Sequence, residues 1–204
     1  MFNEIKWLII HHVGGIDSNA KASTQNQTFE QVNEYHRQKW DFKSSLGFFI
    51  GYHYFIDKSG KITQGRADTD EGAHCIGFNT ASLGISLAGN FDKGVDTPTE
   101  AQINSLKKLL KEKQAVYNIP ISNIVAHRKF AVKTCYGNSL TDTWARDLLG
   151  VIPLPPSLNS PDSPNYSQTL ATLQLLLQKL QEVLKLRQAR QTFGSMIGDR
   201  DVCE

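Results

Sequence analysis

The chain has 204 residues, enough for one domain of ordinary size with an appendage. At 40% hydrophobic and 21% charged its composition is globular, and a formal net charge of +2 with scattered lysines and arginines argues against a nucleic-acid partner. Cys75, Cys135 and Cys203 cannot all pair with one another, so reduced thiols rather than a disulfide framework are expected.

The opening "MFNEIKWLIIHHVGG" has an apolar run too short for a signal peptide and no small-residue cleavage site after it, so synthesis in the cytoplasm without a standard signal is expected. No stretch approaches the roughly 18 apolar residues of a membrane span. Within the opening, "IKWLIIH" reads as a buried strand ending in polar chemistry. "TFEQVNEYHRQKW" places Phe29, Val32, His36 and Trp40 near helical spacing, with Thr28 and Gln31 as a capping box. "GYHYFIDKSGKITQGR" reads as two strands around the turn 57–60, and "LGISLAGNF" as another buried strand.

Thr97, Pro98 and Glu100 signal a helix start with Thr97 as N-cap, followed by an apolar stripe of Ile103, Leu106, Leu109, Leu110, Val116 and Tyr117. "ISNIVAH" is a last strand, and "TDTWARDLLG" a short helix stopped by Gly150. Residues 1–150 are therefore expected to form one α/β unit, a single mixed central β-sheet flanked by helices.

Residues 151–167 hold five of the seven prolines and read as a semi-rigid linker. From 168 to 190 the leucines 170, 173, 177, 180 and 184 recur at spacings of 3, 4, 3 and 4, an amphipathic helix followed by a loose tail to 204. Homo-oligomerisation through a short coiled coil, packing onto the first domain, and membrane contact by the basic face of Lys179, Lys185, Arg187 and Arg190 are the three expectations for it.

The chemistry concentrates in "IVAHRKFAVKTCYGN", residues 124–138. Zinc takes nitrogen and sulfur ligands, and a catalytic zinc keeps three protein ligands and one open position. His127 and Cys135 offer two, and His11 or His12, at the end of the first strand, offers a third. Strand alternation sends those two histidines to opposite sides, so only one can serve. Against this stands a plain alternative: a buried thiol is a small hydrophobe, and a histidine is often only packed or solvated.

Four blocks weigh on the choice: His11, "GYHYFIDKSGKITQGR", "GAHCIGFNTASLGISLAGNF" and "AHRKFAVKTC", in this order and at these separations. Together they resemble the zinc-dependent N-acetylmuramoyl-L-alanine amidases of the second type, a family that includes short phage endolysins and peptidoglycan recognition proteins. The resemblance covers about residues 5–149. It implies one Zn2+ per chain on His11, His127 and Cys135, with Tyr52 and Lys133 as catalytic residues beside it. It implies peptidoglycan as partner, and as reaction the hydrolysis of the amide between N-acetylmuramic acid and L-alanine. The zinc would supply a nucleophilic water, and Lys133 would stabilise the oxyanion.

Arg66, His74 and Asn79 are candidates for the substrate groove, Arg66 through a muropeptide carboxylate. A surface ion pair for Arg66 and a turn role for Asn79 stand equally open. Cys75 as a fourth ligand would close the site against hydrolysis, so a structural role is expected for it, and His36 is expected to be a packed core histidine. One departure is visible: the family usually follows its cysteine with a Pro-Gly turn, and here Cys135 is followed by Tyr136 and Gly137. A phage or prophage endolysin, stored in the cytoplasm and released through a membrane lesion, is the expected role. A muropeptide-recycling amidase and a non-cutting peptidoglycan sensor are the alternatives; the cysteine argues against the sensor, since non-cutting relatives typically lose it.

Overall fold

The computed structural model describes residues 4–150 and, beyond them, the four helical positions Gln174, Leu175, Gln178 and Gln181. The chain falls into two compact units, Met1–Ile152 and Pro153–Glu204. The linker and the leucine positions 170, 173, 177, 180 and 184 lie outside the described residues. Among the described residues no helix is long and apolar enough to cross a membrane.

The first unit is built on one mixed five-stranded sheet. Strands β1 (Trp7–His12), β2 (Tyr54–Ile56), β3 (Ile62–Gln64), β4 (Ser82–Leu87) and β5 (Ile124–Ala126) stand in the order β3-β2-β4-β1-β5. β2, β4, β1 and β5 are parallel neighbours, and β3 closes one edge as the antiparallel arm of a hairpin with β2. A strand between parallel neighbours is covered on both faces, so its sequence runs apolar without interruption, and Leu8, Ile9 and Ile10 are all fully buried. Alternation still divides them: Leu8 and Ile10 join the larger core, Ile9 packs with Cys75 and Val125 on the other side.

Helix α1 (Phe29–Trp40) starts at the Thr28 and Gln31 capping box and buries Phe29, Val32 and His36. Its last expected stripe residue, Trp40, is 48% exposed. Helix α2 (Glu100–Tyr117) packs Leu106, Leu109 and Leu110 over Leu8, Ile10, Leu83 and Ile85. Its N-cap is Thr99, not Thr97. The box closes two residues later because Gln102 is buried and its side-chain amide donates to the carbonyls of Ala88 (2.8 Å) and Ile56 (3.3 Å), which pins the helix start to the sheet. Val116, expected on the buried stripe, is 62% exposed. Helix α3 (Trp144–Asp147) follows, and Gly150 stands past it at φ +71°.

Lys113 is buried on the inner face of α2 instead. Its ammonium lies 2.9 Å from the Asp68 carboxylate, which also accepts from Tyr54 Oη (2.6 Å) and Tyr117 Oη (2.8 Å). Asp68→Ala would leave that buried ammonium with only the half-exposed Glu112 carboxylate at 3.2 Å, so a loss of about 3 kcal/mol in urea unfolding is expected. Lys113→Met added to it should restore most of the loss; no recovery would refute the stranded charge as its cause.

Candidate metal centre

Parallel strands put their carboxyl ends on one edge of the sheet, and side chains there face the crevice outside it. β1 and β5 are parallel with Ile10 opposite Ala126, so the residues that follow, His11 and His127, emerge side by side. Their ring centroids are 4.4 Å apart. The loop after β5 returns Cys135 to the same place, with Sγ 3.6 Å from His11 Nδ1. One ligand atom from each of His11, His127 and Cys135 lies within 4.8 Å of the others. His12, on the opposite face, is removed from the set: its Nδ1 accepts the Phe91 N–H at 2.9 Å.

Two imidazole nitrogens and one sulfur are a zinc-type donor set with room for a fourth, non-protein ligand. Burial, then the nearby His74, His127, His12 and Lys133, holds His11 well below the usual histidine pKa. Burial, then Lys133, lowers His127 to about 4. Both imidazoles are therefore neutral at pH 7, as ligation requires. Burial pushes the Cys135 thiol up to about 12 in the absence of an ion, so a cation must displace its proton on binding. Cys75 stays out of the cluster, buried with Ile9 and Val125.

The triad lies in an open cavity of about 800 Å³, whose lining includes Tyr52, Lys133, His74, Asn79, Trp40 and Phe130. The Tyr52 and His11 ring centroids are 5.0 Å apart. Burial, then the neighbouring Cys135, pushes the Tyr52 phenol above its ordinary range, so it keeps its proton and can only donate or accept a hydrogen bond as a neutral group. Lys133 is exposed on the loop two residues before the thiol.

The expected groove contact of Arg66 is corrected. Arg66 is 1% exposed and outside the cavity lining, and its guanidinium donates to the carbonyls of Phe42 (2.6 Å), Ile50 (2.7 Å) and Glu71 (3.0 Å). It ties three loop carbonyls together and has no face left for a ligand. Asn79 lines the cavity, but its Oδ1 is taken by the N–H groups of His74 (2.9 Å) and Cys75 (2.8 Å), which is the turn role. His74 lines the cavity, is buried, and is bonded to His11.

Sequence reasoning missed what holds the third ligand. The Arg128 N–H donates to the Cys135 carbonyl at 2.8 Å. Its guanidinium donates to the carbonyls of Leu140 (2.6 Å), Gly137 (2.7 Å) and Thr134 (3.2 Å) and pairs with Asp142. Tyr136, the departure from the family's usual Pro-Gly turn, is fully buried in the core, donates its hydroxyl to Thr141 O at 2.8 Å, and has the Arg128 guanidinium 5.2 Å from its ring centre. The loop is anchored by a buried aromatic side chain and one arginine. Ile76, 95% exposed, and Trp40 form an apolar rim that periodicity could not show, since it read Trp40 as an ordinary stripe position and said nothing of Ile76.

The family of N-acetylmuramoyl-L-alanine amidases matches residues 1–138. The chain belongs to that family. Among relatives of this amidase-family chain, peptidoglycan-recognition protein SC2 of Drosophila melanogaster is 31% identical over 70% of this chain and 76% of its own length. The endolysin of Escherichia phage T7 is 29% identical over 66% of this chain and 85% of its own. The solved N-acetylmuramoyl-L-alanine amidase LysC from Clostridium intestinale URNW is 27% identical, with a TM-score of 0.59 over 74% of this chain and 88% of that one. The amidase fold thus spans the whole of the sheet and the His11, His127 and Cys135 cluster.

Proposed function

We propose that this chain is a zinc-dependent hydrolase of the amide between the lactyl group of N-acetylmuramic acid and L-alanine in peptidoglycan, acting as an endolysin. One observation carries the reading: His11, His127 and Cys135 converge within 4.8 Å at the floor of an open cavity, with no fourth protein ligand closing the set among the described residues. A zinc ion held there would supply a Lewis acid and a water of pKa about 7. The phage relatives named as endolysins support the lytic role, and release from the cytoplasm through a membrane lesion belongs to the same proposal.

The chain's own groups serve that chemistry in distinct ways. The exposed Lys133 ammonium faces the cavity, where it would stabilise the charge that develops on the amide oxygen. Tyr52, kept protonated, would donate a hydrogen bond to the same oxygen or orient the attacking water. Trp40 and Ile76 would cover apolar parts of the ligand and keep bulk water from one side. The intact Cys135 favours cutting over binding alone.

Mass spectrometry of peptidoglycan digested with and without chelator tests the reading. Cleavage at the muramic acid–L-alanine amide that stops on chelation and returns with zinc is the expected result; unchanged cleavage under chelation would exclude zinc. Intact sacculi cleaved in preference to soluble fragments would separate the lytic role from recycling. Lys133→Ala is expected to lower kcat about 10²- to 10³-fold with full zinc content, since it is no ligand. A loss under about tenfold would remove Lys133 from the chemistry.

A further inference from the structure

We propose that His74 is a positioning residue that fixes His11 in the tautomer able to bind the metal, through a one-way hydrogen-bond relay from His11 to His74 to Ser82 to the Phe78 carbonyl. The proposal rests on the zinc reading above and concerns a residue that would act on the metal only through its hydrogen bond to His11.

The direction of the relay follows from its far end. Ser82 Oγ lies 2.7 Å from the Phe78 carbonyl, which can only accept, so the serine proton is committed there. His74 Nε2, 3.5 Å from the same Oγ, must then donate to it. A neutral imidazole that donates through Nε2 presents a lone pair on Nδ1. That Nδ1 lies 3.1 Å from His11 Nε2, which therefore carries the hydrogen. The remaining nitrogen of His11, Nδ1, is left as a bare lone pair, and this is the atom that faces Cys135 Sγ at 3.6 Å.

The packing is built for this ring. A Cβ on Gly84 would lie 2.6 Å from His74 Cγ and Cδ2, and a Cβ on Gly72 would lie 2.4 Å from His74 Cδ2. Only glycine at both positions lets the imidazole reach β1. Asn79 Oδ1, by accepting the His74 and Cys75 N–H groups, holds the backbone from which the ring projects. Ligating histidines are commonly oriented through their second nitrogen, and loss of that partner typically costs about 10- to 100-fold in metal affinity.

Zinc affinity of the full chain, by competition with a chromophoric chelator at pH 7, reads the relay without reference to turnover. His74→Leu removes the acceptor and is expected to weaken zinc about 10- to 100-fold. His74→Asn keeps an acceptor oxygen near the Nδ1 position and is expected to recover most of that loss. The absorption bands of the cobalt-substituted protein should shift in the leucine variant and return in the asparagine one. A folded leucine variant that binds zinc like the parent overturns the relay, and so do leucine and asparagine variants weakened alike, which would mean packing alone. If His74→Leu does not fold, Ser82→Ala carries the test, since it removes only the far acceptor; unchanged affinity there overturns the relay. A parent chain that binds no zinc would instead overturn the metal reading itself, and the inference with it.

Discussion

Cys135→Ser is expected to cut the release of new L-alanine amino termini from peptidoglycan by at least about a thousandfold, a barrier rise of roughly 4 kcal/mol. The reason is the charge on the donor. A thiol in this pocket already holds its proton up to about pH 12 without an ion, and a cation beside it can still displace that proton because thiolate is a soft, strong zinc ligand. A serine hydroxyl in the same place is far harder to ionise and a poorer donor. The fold should survive, because the sulfur makes only long contacts, 3.6 Å to His11 Nδ1 and 4.0 Å to the His12 carbonyl. Arg128 and the buried Tyr136 hold the loop independently of it. The metal-free variant should thus melt with the metal-free parent, while its zinc content falls. Full activity in the variant would exclude Cys135 as a ligand. Binding to sacculi retained without cleavage would show that the cavity recognises peptidoglycan apart from the metal.

The candidate ligand set followed from the resemblance, while the residues alone left His11 and His12 both open; the structure brings His11, His127 and Cys135 together within 4.8 Å. Alternation separated His11 from His12, and the structure puts Ile9 and Ile10 on opposite faces accordingly. Parallel pairing of β1 with β5 then brought His127 alongside. Among the groove candidates Arg66 lies outside the cavity, and Asn79 takes the turn role that was left open for it. Arg66 and Asn79 are polar residues in a polar stretch, and nothing local says that three carbonyls or two backbone N–H groups will claim them. The two glycines that admit the His74 ring are 12 residues apart in the chain and meet only through the sheet.

The same contrast runs through the helices. The α1 cap is decided by Thr28 and Gln31 alone and was readable from four residues. The start of α2 was misplaced because its deciding contact, from Gln102 to the ends of β2 and β4, joins segments 14 and 46 positions apart. Trp40 fits the helical period and still emerges at the cavity rim, since the period fixes a direction around the helix and not where the covering layer ends.

Metal-free protein is expected to unfold cooperatively near pH 5. All six histidines are in the first unit and all are buried. Burial is the leading cause that lowers His12, His36, His53 and His127 to about 4, and it also holds His11 and His74 well below the ordinary histidine value. The hydrogen bonds agree. Nδ1 of His12, His36 and His53 each accepts a backbone N–H, from Phe91, Gly51 and Gly84 at 2.9 to 3.0 Å, and a proton on that nitrogen would face a donor. A folded pKa below the unfolded one gives stability that is present above pH 6.5 and lost as pH falls toward 4. Between those values the unfolded chain holds close to six more protons than the folded one, so stability drops by roughly 8 kcal/mol per pH unit. A domain stability of roughly 5–15 kcal/mol is exhausted within about one to two units. Circular dichroism over an acid titration of the chelated chain should show the transition, and a fold intact at pH 4 would refute the neutral histidine cluster. On the proposed zinc reading only the folded chain brings His11, His127 and Cys135 together, so saturating zinc should move the midpoint to lower pH until protons compete for these three groups.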